Sequence, residues 1–296
     1  MVERKTVSRV IFCILNYSLL ALFGIICLIP LWHVFMSSIS DPRLLMSSSG
    51  VLLKPLGNIT FDGYKLVLNN QSILTGYGNT LLYVLATTLL MAVGTLLGGF
   101  LISRRDFKLA GPMTLLILFT MLFSGGLIPS YMVVRGLGMI NTRWAVIIPG
   151  TLNAFYILLM KAAFDHLPAS YEESAKLDGA GPITILFRIL VPLVKATVAV
   201  VVMFNVIAQW NSWYYASIYL PKERNLWPLQ LFMREILIQN NASAVATSID
   251  AEKASSFVGN LVKFCVTIVG TLPILIAYPF AQKYFVAGVQ MGGIKG

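Results

Sequence analysis

Charge is what this chain has least of. Only 11% of its 296 residues are Asp, Glu, Lys or Arg, against about 25% in a soluble domain. With 57% hydrophobic residues and a mean hydropathy of +0.79, the composition excludes an ordinary soluble globule and points to an integral membrane protein. Carboxylates are scarcer than cations, 12 against 22. They are Glu3, Asp41, Asp62, Asp106, Asp165, Glu172, Glu173, Asp178, Glu223, Glu235, Asp250 and Glu252, all outside the apolar runs. Proton- and sodium-coupled carriers commonly hold the coupling ion on a carboxylate at membrane depth. Its absence argues against a self-sufficient secondary carrier.

Other chemistry is absent too. No GxxxxGK(S/T) loop is present to cradle phosphates; the nearest string, Gly292-Gly293-Ile294-Lys295-Gly296, lacks the hydroxyl residue and a following helix. No Ser/His/Asp or HExxH constellation lies within an apolar run, so a membrane hydrolase is not expected. Cys13, Cys27 and Cys265 all sit in apolar runs and read as packing residues, not as a disulfide framework or metal set. His33 and His166 are far apart, each at the end of an apolar run. The net charge of +10 reads as basic residues flanking membrane spans. Nucleic acid would need a basic stripe interleaved with aromatics on a soluble face.

What is present is a series of long apolar runs. Val10 to Trp32 is 23 residues, roughly 34 Å as a helix. Arg4, Lys5 and Arg9 precede it, and no small-residue cleavage site follows, so it reads as a retained first span. Residues 37 to 74 are turn-rich, an external loop with a short helix around Phe61 to Asn69. A second span is expected from Thr80 to Ile102, with Gly94 and Gly98 permitting close helix contact. The basic loop 103–108 follows. A third span, Pro112 to Val134, is interrupted by Ser124-Gly125-Gly126 and Pro129. A fourth is expected from Trp144 to Ala163, a fifth from Leu193 to Ile218 and a sixth from Asn260 to Tyr278. The expected architecture is an all-α membrane protein of six transmembrane helices with both termini cytoplasmic. Alternation and the basic inner segments place the polar stretch 165–192 inside.

That stretch has its own pattern. Ser170 is a plausible N-cap, and Glu172 and Glu173 suit a first helical turn, where the macrodipole favours anions. Glu172, Ala175 and Lys176 fall on one side, and Leu177 is available to pack. Gly179 can take the positive φ that stops a helix, and Pro182 can start the next. A chain that moves solute uphill without its own energy source needs a partner, and this segment is where one would dock.

Glu173-Ser174-Ala175, three residues, Gly179, nine residues, then Ile189-Leu190-Val191-Pro192 resembles the EAA loop of ABC importer permeases. The family pattern is EAA-x3-G-x9-I-x-L-P; this chain departs from it at Ser174 and Val191. Gln209-Trp210-Asn211 is similar to the WN motif of sugar permeases. Phe123-Ser124-Gly125-Gly126-Leu127-Ile128-Pro129 looks like the subgroup importing complex oligosaccharides, and residues 288–296 resemble the tail of the maltose-type G subunit.

The resemblance implies a type I importer permease fold with a cytoplasmic coupling helix in a bacterial cell (inner) membrane. It implies a segment 1–74, a transport domain 75–285 holding the EAA loop at 165–192, and a tail 286–296. Its partners would be a second related permease, two ATPase subunits carrying ATP and Mg, and an extracytoplasmic sugar-binding protein. The cargo would be an oligosaccharide, with the basic balance suiting a uronate type. This chain would carry no nucleotide or cofactor and would not be an enzyme. Glu172, Glu173, Ala175, Leu177, Asp178 and Gly179 would dock the ATPase. Gln239, Asn240, Asn241, Ala242 and Ser243 would meet the binding protein. Gly292, Gly293 and Lys295 would reach between the ATPases. For the substrate path, Asn205, Gln209 and Ser212 share a helix face, and Asn211, Trp210, Trp213 and Tyr214 lie nearby; an interfacial aromatic belt is the alternative. An importer for an amino acid, peptide or phosphate keeps the same machinery with a different cargo.

Overall fold

The computed structural model of the chain describes residues 7–104, 106–238 and 256–292. Every regular element among them is helical. The chain divides into two units, Met1–Gln71 with Met233–Thr271, and Ser72–Phe232 with Leu272–Gly296.

In the first unit, α1 (Val7–Ser38) is apolar all round, and Phe12, Leu15 and Phe23 stand exposed. A helix with no polar face suits hydrocarbon, not water. Only its last turn is enclosed. There the Ser38 hydroxyl meets the Tyr64 hydroxyl at 2.6 Å, and the Ser38 carbonyl accepts from the Cys265 thiol at 3.3 Å. Two short helices follow, α2 (Pro42–Ser47) and α3 (Asp62–Leu68). The second is the short helix expected around Phe61 to Asn69.

The second unit opens on α4 (Gln71–Ser103), which contains the expected second span. The third expected run is two helices, α5 (Ala110–Leu122) and α6 (Leu127–Gly136), bent by 114° at the Ser124-Gly125-Gly126 interruption.

The fourth expected run is not one helix. It splits into α7 (Trp144–Ile147) and α8 (Ala154–Asp165). Pro149 has no N–H to donate and crowds the carbonyl four residues back. The Asn153 side chain then accepts from the Phe155 N–H at 2.9 Å and starts α8 afresh.

After α9 (Ser170–Leu177), the fifth run also differs from expectation. α10 (Pro182–Leu193) turns by 87° into α11 (Lys195–Trp210), and α12 (Tyr214–Tyr219) is separate. Within α10, Ile185–Leu190 is wound as a π-helix just before Pro192. The proline ring would crowd the Arg188 carbonyl in a regular turn, and a widened turn relieves it. The chain continues through α13 (Leu229–Ile238) and α14 (Ser256–Gly292), which runs on through Pro273 and Pro279.

Among the described residues three helices are long and apolar enough to cross a membrane, or up to five if each bent pair is one span.

The core of the second unit forms where α4 meets α8. A Cβ on Gly99 would lie 2.8 Å from the Met160 Cβ and 3.1 Å from the Lys161 backbone nitrogen. Only a hydrogen lets the helices approach this closely. Around that contact Met91, Leu96, Tyr156, Met160 and Phe164 are buried, and the same cluster takes in Ala175, Ile185, Leu186, Leu190 and Val201. α9 is thereby packed on the core that α4, α8, α10 and α11 share.

Candidate functional site

The polar segment between α8 and α10 folds as a helix, a glycine turn and a helix. α9 carries Glu172 and Glu173 in its first turn and Lys176 in its last, each at the end of the helix dipole that favours it. The start differs from expectation: Ala169 holds the N-cap position, and Ser170 is already helical without a capping bond. The carboxylates of the first turn substitute for a cap electrostatically. The end is as expected. Gly179 has φ +80°. The Ala180 N–H donates to the Ala175 carbonyl at 2.9 Å, and the Gly179 N–H to that of Lys176 at 3.0 Å. This paired closure satisfies the Ala175 and Lys176 carbonyls and packs Ala180 against the cluster that holds Ala175. Pro182 then opens α10.

The two faces of α9 differ. On the inner face Ala175 is 6% exposed and belongs to the core. It seats the helix on its own chain, unlike the surface contact expected of it among the ATPase-docking residues. Glu172 also turns inward. Its carboxylate accepts from the Arg104 guanidinium, and Lys176 reaches it at 3.1 Å. Lys176 also meets Asp106 at 3.3 Å. Arg104 donates to the Ser103 hydroxyl at 2.9 Å and lies 4.9 Å from the Phe100 ring centroid. Burial pulls the Arg104 pKa below its ordinary value, while the Asp165 and Asp106 carboxylates oppose the shift. The guanidinium stays charged throughout the physiological range.

The pairs differ in strength. Arg104 and Glu172 side chains are 19% and 16% exposed. Removing one partner of a fully buried pair costs about 3–5 kcal/mol, and this pair falls somewhat below that. Lys176 and Asp106 are largely solvated and contribute at most about 1 kcal/mol.

The outer face carries Glu173, Leu177, Asp178 and Gly179, all exposed. Leu177 is 89% exposed, and Glu173 makes no ion pair among the described residues. A cavity of about 650 Å³ opens beside the helix, lined by Arg104, Asp106, Lys161, Asp165, Glu172 and Glu173 among others. Lys161 and Asp165 are paired across one turn at 2.6 Å. Arg104 and Asp106 went unnoticed in the sequence, where 103–108 reads only as a basic loop. The available signal was its charge complementarity to 172–176.

The residues expected to line a path are dispersed. Asn205 is 3% exposed and donates to the Thr88 hydroxyl at 2.9 Å, pinning α11 to α4. It is enclosed between helices instead of facing an open passage. Trp210 is buried with its ring centroid 6.0 Å from that of Tyr77. Asn211 donates to the Ile207 carbonyl of its own helix. Gln209 points to the Gly150 carbonyl at 3.5 Å, beside the break between α7 and α8. Trp213 and Tyr214 contact edge to face at 5.6 Å. Gln239, Asn240, Asn241, Ala242 and Ser243 lie outside the described residues, as do Gly293 and Lys295; Gly292 ends α14.

Residues 94–291 match the family described as binding-protein-dependent transport system inner membrane component. The polygalacturonan/rhamnogalacturonan transport system permease protein YtcP of Bacillus subtilis (strain 168) is 34% identical over 289 residues, spanning 97% of this chain and 99% of its own. The galactooligosaccharides transport system permease protein GanQ of the same organism is 30% identical, with the match spanning 100% of both chains. A crystal structure of a bacterial ABC transporter involved in the import of the acidic polysaccharide alginate superposes with a TM-score of 0.85 at 28% identity, over 96% of this chain and 99% of that one. The chain has the ABC importer permease fold, is a permease subunit and not itself an enzyme, and belongs to the binding-protein-dependent transport system inner membrane component family.

Proposed function

We propose that the chain is one of two related permeases of an ATP-driven importer in a bacterial inner membrane, and that α9 is its coupling helix. The importer takes up an oligosaccharide of the acidic, uronate type, delivered by an extracytoplasmic binding protein. Relatives named for polygalacturonan/rhamnogalacturonan and alginate transport support the cargo class. Six spans follow if α1, α4, α5 with α6, α7 with α8, α10 with α11, and α14 each cross once. Both termini are then cytoplasmic, and the transport core is 75–285, with 1–74 before it and the tail 286–296 after it. ATP and Mg reside on two partner ATPases.

The two-faced character of α9 carries the proposal. Its inner face is locked to the chain by Ala175 and the Glu172–Arg104 pair. Its outer face offers the Glu173 carboxylate and the Leu177 side chain without partners among the described residues. A helix rigid behind and adhesive in front transmits displacement from whatever grips it. The ATPase would supply an apolar cleft for Leu177 and a cation for Glu173. ATP-driven closure would move α9 and, through the shared core, α4, α8 and α11.

Co-purification of a tagged chain in mild detergent tests this. The wild type brings down an ATPase; Glu173→Lys with Leu177→Asp inserts normally and does not. Retention of the ATPase by that variant would remove α9 from the interface.

A further inference from the structure

We infer that a ladder of aromatic rings at the α6–α12 end of the second unit, edged by Arg135 and Lys222, is a docking site for an anionic pyranose oligomer. The inference rests on the cargo class and orientation proposed above, which put this end outside. The rings run without a gap. Trp213 meets Tyr214 at 5.6 Å, and Tyr214 meets Tyr215 at 5.5 Å. Tyr215 stacks on Tyr219 at 5.7 Å and 19°, and Tyr219 on Tyr131 at 6.3 Å and 26°.

The ladder is packed at both ends and exposed between them: Trp213 lies against the cluster of Tyr83, Val146 and Ala216, and Tyr131 packs beside Tyr219. Tyr219 is buried in a cluster with Val134 and Ala145. Its carbonyl accepts from the Asn141 N–H at 2.8 Å. The Asn141 side chain in turn accepts from the Lys222 N–H at 3.2 Å. Tyr214 and Tyr215 are 47% and 51% exposed. Tyr214 and Tyr215, held between the packed ends, offer aromatic surface to the flat C–H faces of pyranose rings at little further cost in side-chain entropy.

The charges specify the sugar. Arg135 lies one turn beyond Tyr131 on the same face of α6, and Lys222 lies three residues beyond Tyr219. Both are exposed, and neither makes an ion pair among the described residues. Glu223, next to Lys222 in sequence, is also exposed. Two exposed cations within four residues of the stacked Tyr131 and Tyr219 complement carboxylates carried on successive rings. An interfacial aromatic belt explains the tyrosines but gives no reason for selectivity between acidic and neutral sugars.

The test uses the complete importer in lipid nanodiscs, with tetragalacturonate and its fully methyl-esterified counterpart as probes. Binding is measured by equilibrium dialysis without binding protein, and uptake in proteoliposomes with it. Arg135→Gln and Lys222→Gln should each weaken tetragalacturonate binding about fivefold and leave the esterified probe unchanged. Arg135→Lys should retain most of the affinity. Tyr215→Ala should weaken both probes, and Tyr215→Phe neither. Equal binding of tetragalacturonate by wild type and the two glutamine variants overturns the inference. If the wild type takes up tetragalacturonate normally at the same time, the proposed function stands without it. Failure of the wild type to take up any oligosaccharide overturns the proposed cargo, and the docking site with it.

Discussion

Arg104 and Glu172, 68 positions apart, form an ion pair that joins the end of α4 to the first turn of α9. The pair closes a ring of contacts, because Ala175 on the same helix packs into the core that α4 and α8 share. A displacement of α9 therefore reaches α4 by two routes, one ionic and one apolar. Arg104→Gln and Glu172→Gln should each lower stability by about 1–3 kcal/mol. The double variant should cost no more than the larger single change, since one interaction is lost in each case. Thermal unfolding of the detergent-solubilised chain measures the cycle. The ratio of ATP hydrolysed to sugar imported should rise in all three variants, and an unchanged ratio would restrict the pair to a structural role.

Gly179 gives a cleaner separation of backbone from contact. A Cβ there would meet nothing within 4 Å, yet φ is +80°. Alanine should therefore cost about 1 kcal/mol through backbone strain alone, and asparagine less. Hydrogen exchange at the Gly179 and Ala180 amides, which close α9, should be about fivefold faster in Gly179→Ala. An equal rate would mean the turn is held by something other than its own geometry.

Gly99 behaves in the opposite way. Its backbone is helical and the obstacle is the neighbour, because an added Cβ would stand 2.8 Å from the Met160 Cβ. Gly99→Ala should lower stability by about 1–3 kcal/mol through overpacking. Gly78→Ala, on the same helix with nothing within 4 Å, should be neutral or slightly stabilising. Thermal midpoints of the two variants in one detergent provide the comparison.

Much of α9 was legible because its determinants are local. Carboxylates in the first turn, a glycine at the stop and a proline at the restart all act within a few residues. The partner of Glu172 was not legible, because it depends on where α4 ends. The first, second and sixth spans were legible as helices and the third with its interruption, but the fourth and fifth only as apolar mass. Averaging over some twenty residues hides Pro149, and Pro192, legible as part of a motif, does not announce the widened turn before it. Asn205 meets the same limit. A polar residue in an apolar helix must find a partner, and sequence alone does not distinguish a passing sugar from Thr88.

That distinction is measurable. If Asn205 acts by holding α11 to α4, Asn205→Ala and Thr88→Ala should each cost about 0.6–1.7 kcal/mol, the range for hydrogen bonds between membrane helices. Their effects should not add. The concentration of sugar giving half-maximal uptake should stay unchanged. A selective rise in that concentration for Asn205→Ala, without loss of stability, would return Asn205 to the substrate path.

The segment that carries Lys222 onward to α13 is held by three residues of α4. Asn79 donates to the carbonyls of Asn225 at 2.7 Å and Trp227 at 3.0 Å, while its own oxygen accepts from Arg143 at 3.2 Å. Thr80 accepts from the Leu229 N–H at 2.8 Å, and the Tyr83 hydroxyl donates to the Leu226 carbonyl at 2.6 Å. Residues i, i+1 and i+4 of one helix thus satisfy four backbone groups of the 3-10 turn Arg224–Leu226, Trp227 and the first residue of α13. Left unpaired, such a group enclosed from water costs about 1–3 kcal/mol. Asn79→Ala strands two carbonyls and the Arg143 donor at once and should be the most damaging change. Tyr83→Phe removes one bond and should cost about 1 kcal/mol. Asn79→Asp is the informative case. It keeps the acceptor for Arg143 but turns two donated hydrogen bonds into oxygen-to-oxygen contacts, so it should resemble alanine. Hydrogen exchange across 225–229 should accelerate in the order Tyr83→Phe, then Asn79→Asp and Asn79→Ala together. If Asn79→Asp behaves as wild type, the Arg143 contact and not the two carbonyls is what holds the segment.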